Sequence, residues 1–161
     1  MGPELHPDLA ALAPLLGEWA GRGSGEYPTI EPFDYLEEVV FGHVGKPFLT
    51  YGQKTNAVAD GRPLHAETGY LRVPRPGQVE LVLAHPTGVS EIELGTYREA
   101  DGVIEVDVSA SAIGLTPSAK QVSALARRFR IDGDELSYSV QMGAVGQPLQ
   151  HHLAAVLHRK G

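Results

Sequence analysis

From Gly17 onward the chain alternates side chains with a period close to two, in short runs cut about every 8–12 residues by turn-forming pairs. Gln78 to His85 sets Val79, Leu81, Leu83 and His85 on one face and Gln78, Glu80, Val82 and Ala84 on the other. Val89 to Tyr97 alternates Glu91, Glu93 and Gly95 with Ile92, Leu94 and Thr96. Val103 to Val108 alternates Glu105 and Asp107 with Ile104, Val106 and Val108. Glu135 to Met142 groups Leu136, Tyr138, Val140 and Met142. These runs read as half-buried antiparallel strands. Asp60-Gly61, Pro76-Gly77, Asp101-Gly102 and Asp132-Gly133 lie between strand runs and supply residues that tolerate positive φ. The expected architecture is all-β, an up-and-down meander of about nine or ten strands, closed into a barrel because closure removes exposed edges. A barrel above about eight strands has room for a ligand. The exception to period two is near the start. There Asp8 is placed to cap a short helix carrying Leu9, Leu12, Leu15 and Leu16, which Pro14 keeps short, and a lid or plug is expected.

The chain's 161 residues suit one domain spanning 1–161, and 42% hydrophobic with 20% charged residues fits neither a disordered chain nor a fibre. A formal net charge of −7 offers no cationic field for nucleic acid or anionic lipid, so neither is expected as a partner. No apolar run approaches the roughly 18–20 residues of a membrane span, and no Lys or Arg precedes an apolar segment at the N-terminus; a cytoplasmic protein is expected. The absence of cysteine excludes disulfides, thiolate metal ligation and cysteine nucleophiles, which leaves any metal to His, Met or oxygen.

Seven histidines are then the main chemical resource. His6 lies in the N-terminal tail and His43 beside the turn Val44-Gly45-Lys46-Pro47, a surface position. His65 and His85 sit at strand ends, where a barrel mouth is lined. In the last strand, alternation puts His152 and His158 on one face and His151 on the other. None of the histidines has the i, i+4 spacing of a zinc protease, and a three-His zinc site has no spacing in its favour. No serine lies in a G-x-S-x-G context, and Gly17 to Gly25 lacks the Lys-Ser/Thr ending of a phosphate loop. Gly17, Gly21, Gly23 and Gly25 share a parity with Trp19, so that face is bare around one indole; a large flat group or the helix is expected against it. Glu37 and Glu38 are adjacent and point to opposite faces, which disfavours a paired-carboxylate glycosidase, and Arg127 and Arg128 read as ordinary strand charges.

One family resemblance draws these fragments together. Gly17-Glu18-Trp19 after a short helix resembles the G-x-W start of lipocalins and fatty-acid-binding proteins. Extended through Gly21, Gly23, Gly25, Tyr27-Pro28-Thr29, Leu64-His65, His85-Pro86-Thr87-Gly88, Leu136-Ser137-Tyr138 and Pro148-Leu149-Gln150-His151-His152-Leu153, the sequence is similar over nearly its whole length to the nitrobindin family, in particular its mycobacterial-type members. The resemblance implies a ten-stranded antiparallel barrel binding haem b, with His152 of the terminal His-Leu pair as proximal iron ligand. It places Thr29, Phe33, Leu64, His65, His85 and Met142 around the haem, and Lys120 near a propionate. A haem held by one histidine keeps its sixth position open for a small ligand. The implied activity is conversion of peroxynitrite to nitrate at ferric haem, with nitric oxide as a further ligand. The alternative, from a different class, is a barrel that carries haem or another apolar molecule without turnover. A homodimer, if formed, is expected to use an exterior strand.

Overall fold

In the computed structural model, residues 2–161 are described; Met1, the first residue of the expected domain, lies outside them. A 3-10 helix (Pro7–Leu15) precedes ten strands: β1 (Gly17–Tyr27), β2 (Ile30–His43), β3 (Phe48–Ala57), β4 (Pro63–Arg75), β5 (Gln78–Ala84), β6 (Val89–Ala100), β7 (Val103–Leu115), β8 (Val122–Asp132), β9 (Glu135–Ala144) and β10 (Gln150–Arg159). Each strand pairs antiparallel with its sequence neighbour, and β1 closes on β10 through a register running from Trp19↔Arg159 to Gly25↔Leu153. The expected meander barrel is the fold observed, and its closure leaves no free edge. At the β6–β7 hairpin Asp101 (φ 54°) and Gly102 (φ 80°) both adopt the left-handed region that a two-residue turn of matching twist requires.

The helix differs from the expected cap. His6, not Asp8, stands at the N-cap, its Nδ1 accepting the Asp8 N–H at 3.1 Å. Leu9, Leu12 and Leu15 repeat every third residue, which matches the 3.0-residue turn of a 3-10 helix; all three are buried. They seal one end of the barrel against Trp19, whose indole N–H donates to the Leu15 carbonyl at 2.9 Å. Arg159 lies 4.3 Å over the Trp19 ring and donates to the carbonyls of Leu16 and Pro14, each at 2.6 Å, tying the plug to β10. No helix among the described residues is long and apolar enough to cross a membrane.

The bare glycine face of β1 is covered by the barrel's own aromatics. A Cβ on Gly23 would stand 2.4 Å from the Tyr35 ring, and one on Gly25 would stand 2.3 Å from Phe33. Glycine there lets the rings of β2 fold over β1, with Trp19 and the helix filling the plugged end.

The interior face of β6 is the acidic one. Glu91 and Glu93 are buried (1% and 0% exposed), while Ile92 and Leu94 face solvent at 43% and 46%. In β8, Arg127 shares the inward parity of Leu125 and Ile131 and is 7% exposed, so it is not an ordinary strand charge. The two facts explain each other, because a buried guanidinium and buried carboxylates compensate where neither is tolerable alone.

Candidate functional site

The meander carries strand ends of distant sequence to the rim opposite the plug. The end of β1, the starts of β2, β4, β8 and β10 and the ends of β5 and β9 all lie there. Phe33, Leu64, His65, His85, Met142 and His152 are therefore at one end of the barrel, and all six are half-buried. Thr29 and Lys120 are exposed on the β1–β2 and β7–β8 connections of the same rim.

His152 reaches its position through a break in the ladder. His151 pairs with Gln141 and Leu153 with Val140, so His152 is the extra residue of a β-bulge. After the bulge, Leu153, Ala155 and Leu157 face inward, while His158 is exposed. The expected common face for His152 and His158 is thus not found: uninterrupted alternation does not hold across the bulge. His151 lies on the outer side, lining a shallow cleft with Ser24, Glu26 and Asp34. The preceding connection is held firmly. Val145 adopts φ 45°, unusual for a β-branched residue, and its N–H donates to the Gln121 carbonyl at 2.8 Å.

The His152 ring is fixed by two contacts. Its Nδ1 lies 2.9 Å from the Glu26 carbonyl oxygen, which can only accept, so Nδ1 carries the proton and Nε2 keeps an unshared pair. Its ring meets that of Tyr27 edge-on, centroids 5.4 Å apart at 77°. Tyr27 is held in turn, its hydroxyl donating to the Met142 carbonyl (3.1 Å) and accepting the Ala144 N–H (2.8 Å). Burial lowers the His152 pKa, as do the neighbouring His151, His65 and Arg127, against the raising effect of the Glu26 carbonyl, which favours the neutral imidazole.

Deeper in the barrel lies a polar layer. Arg127 Nε donates to Glu91 (3.0 Å) and Glu93 (2.9 Å), and Nη1 to Glu67 (3.0 Å). Burial alone would raise the Glu67 pKa, yet Arg127 chiefly, with His65 and His85, holds it down to about 2. Glu91 is likewise held low by Arg127 and His85 against its burial, whereas burial and the adjoining Glu91 push Glu93 up, so Glu93 keeps its proton. Glu37 accepts from Tyr138 (2.6 Å) and Gln53 (2.7 Å), and burial dominates to raise it to about 7. His85 links this layer to the rim, its Nε2 being 2.7 Å from Glu91 and its Nδ1 3.0 Å from His65 Nε2. Glu37, Glu67, Arg127 and Tyr138 each share a parity with apolar residues that turn inward, so the signal for them lay in the same alternation that located the core. For Glu91 and Glu93 the alternation of a half-buried strand puts the apolar Ile92 and Leu94 inward, and the structure reverses it.

Closure, one plugged end and an open end lined by imidazoles and apolar side chains place the chain among ligand-binding β-barrels. It belongs to the family described as THAP4-like, heme-binding beta-barrel domain, whose model matches residues 8–159. It is 76% identical over 160 residues to peroxynitrite isomerase 1 of Mycolicibacterium paratuberculosis, covering 99% of each chain. It is 69% identical to the peroxynitrite isomerase of Mycobacterium leprae at the same coverage. The crystal structure of Rv2717c from M. tuberculosis superposes with a TM-score of 0.96 at 70% identity, covering 98% of this chain and 100% of that one. The residues fit haem. A neutral imidazole with a free Nε2 is an iron ligand, and half-buried Phe33, Leu64, Met142 and Leu153 supply an apolar wall.

Proposed function

We propose that this chain is a single-domain haem b protein over residues 1–161 that isomerises peroxynitrite to nitrate and also binds nitric oxide, with His152 Nε2 as the axial iron ligand. The observation that carries the assignment is the Nδ1–H to Glu26 carbonyl bond, which fixes the tautomer and aims the unshared pair. The names of the full-length relatives support the substrate. When bound, haem would supply a Lewis-acidic iron and the redox chemistry that the isomerisation requires.

The chain's own residues hold and enclose. Tyr27 keeps the His152 ring from rotating, and its hydroxyl joins β1 to β9 behind that ring. Phe33, Leu64, Met142 and Leu153 exclude water from the wall. His65 and His85 present the polar groups of the pocket, with Thr29 and Lys120 at the rim, where Lys120 is suited to a propionate.

The test is stopped-flow decay of peroxynitrite with nitrate and nitrite measured at the end. Haem-loaded protein is expected to accelerate decay beyond an equal concentration of free haem and to raise the nitrate share. Decay no faster than with free haem or haem-free protein, with no gain in nitrate, would replace this reading by that of a non-catalytic carrier.

A further inference from the structure

Beyond lending the pocket its polarity, His65 and His85 join Glu67 in a second donor set beside His152. His65 Nε2, His85 Nδ1 and Glu67 Oε1 converge on one another, with separations of 3.0 Å between the imidazoles, 3.4 Å from His65 to Glu67 and 3.8 Å from His85 to Glu67. His85 and Glu67 are each held by partners on their far sides. His85 Nε2 faces the Glu91 carboxylate at 2.7 Å and must carry the proton there, which leaves Nδ1 as the acceptor. Glu67 Oε2 is taken by the Tyr51 hydroxyl and by Arg127 Nη1, each at 3.0 Å, which turns Oε1 toward the imidazoles. Three electron-pair donors thus surround a space bridged by a single hydrogen, that of His65 Nε2.

That geometry suits a metal ion. A tetrahedral ion with bonds of about 2.0–2.1 Å to nitrogen and oxygen sets its ligand atoms about 3.3–3.4 Å apart, and the three observed separations bracket this value. Two histidines and one carboxylate with the remaining positions free are the donor set of open metal sites. The outer partners are those such a site needs: Glu91 behind His85, and Arg127 with Tyr51 behind Glu67. Charge favours it as well, because the side chains of Glu67 and Glu91 lie beside the single guanidinium of Arg127, each 3.0 Å from one of its nitrogens. The side chains of His85 and Glu67 are 9% and 5% exposed against 30% for His65, so His65 gives the way in.

We propose that His65, His85 and Glu67 form a binding site for a divalent first-row transition ion, separate from the haem ligand His152 and within the same barrel mouth. Coordination replaces the His65 Nε2 proton, the neutral ring taking its other tautomer with the proton on Nδ1.

Titration of the full chain with Zn2+ against a competing indicator, and with Co2+ followed by its visible ligand-field bands, tests the site. Wild type and His152→Ala are expected to bind one ion per chain with low-coordinate Co2+ bands. His65→Ala, the substitution least disruptive to the buried layer, should weaken Zn2+ binding by at least tenfold, and Glu91→Gln should weaken it by roughly 10–100-fold through His85. Circular dichroism of each variant confirms that it is folded; if Glu91→Gln is not, the His65→Ala comparison decides alone. Failure of wild type to bind stoichiometrically, unchanged affinity in folded His65→Ala, or loss of binding in His152→Ala would overturn the proposal. Because the readouts do not involve haem, they are independent of the isomerase reading.

Discussion

At the scale of single residues, function rests on how neighbours set the state of each titratable group. His152 can bind iron only while neutral, and its burial, with the charges of His151, His65 and Arg127, lowers its pKa. In haem-free protein, an NMR titration of its ring should therefore give a midpoint below the ordinary value of about 6.5. A His152 midpoint at or above that value contradicts this account. The motif singles out His152. Its inward aim is not legible there, because the Glu26 carbonyl that fixes the ring is a backbone group with no signature in sequence. Arg127 lies two residues from Leu125 and four from Ile131 on the inward face, a parity that the expectation of an ordinary strand charge leaves out.

At the scale of elements, alternation located the strands and fails where the ladder is irregular. In β10 one extra residue at the bulge resets the parity, so His152 does not face with His158. In β6 both faces carry consistent chemistry, and what selects the acidic one is Arg127 arriving from β8, a tertiary partner 34 residues from Glu93. The helix type was latent in the threefold leucine spacing. Close approach of strands is a further element-scale constraint. A Cβ on Gly95 would lie 1.7 Å from the Asp107 carbonyl oxygen of β7, a backbone atom that cannot step aside without opening the ladder. Gly95→Ala is expected to destabilise by about 2–3 kcal/mol in denaturant unfolding, as other overpacked sites do. A cost within about 0.5 kcal/mol, the range of ordinary surface changes, contradicts the close approach.

At the scale of the whole molecule the barrel divides into a sealed apolar end, a buried polar layer and an open mouth, and the layer gives stability its pH dependence. Glu67 is held from 4.5 down to about 2, so its contribution is present above 4.5 and is lost as pH falls toward 2. Glu37 is raised from 4.5 to about 7, so the sign reverses: its contribution is full below 4.5 and is lost as pH rises through 7. Glu37→Gln should accordingly flatten the fall in stability between about pH 5 and 7, an effect of up to about 3 kcal/mol at the rate of 1.36 kcal/mol per pKa unit. Melting temperatures of both proteins across that range measure it, and an unchanged slope contradicts the assignment. The central claim is that the bulge delivers His152, not its neighbour, to haem iron. Haem titration followed at the Soret band tests it most directly: wild type and His151→Ala are predicted to bind one haem with the same Soret position, while His152→Ala loses stoichiometric binding or shifts the band. Retention of the native Soret in His152→Ala, with its loss in His151→Ala, would contradict the account.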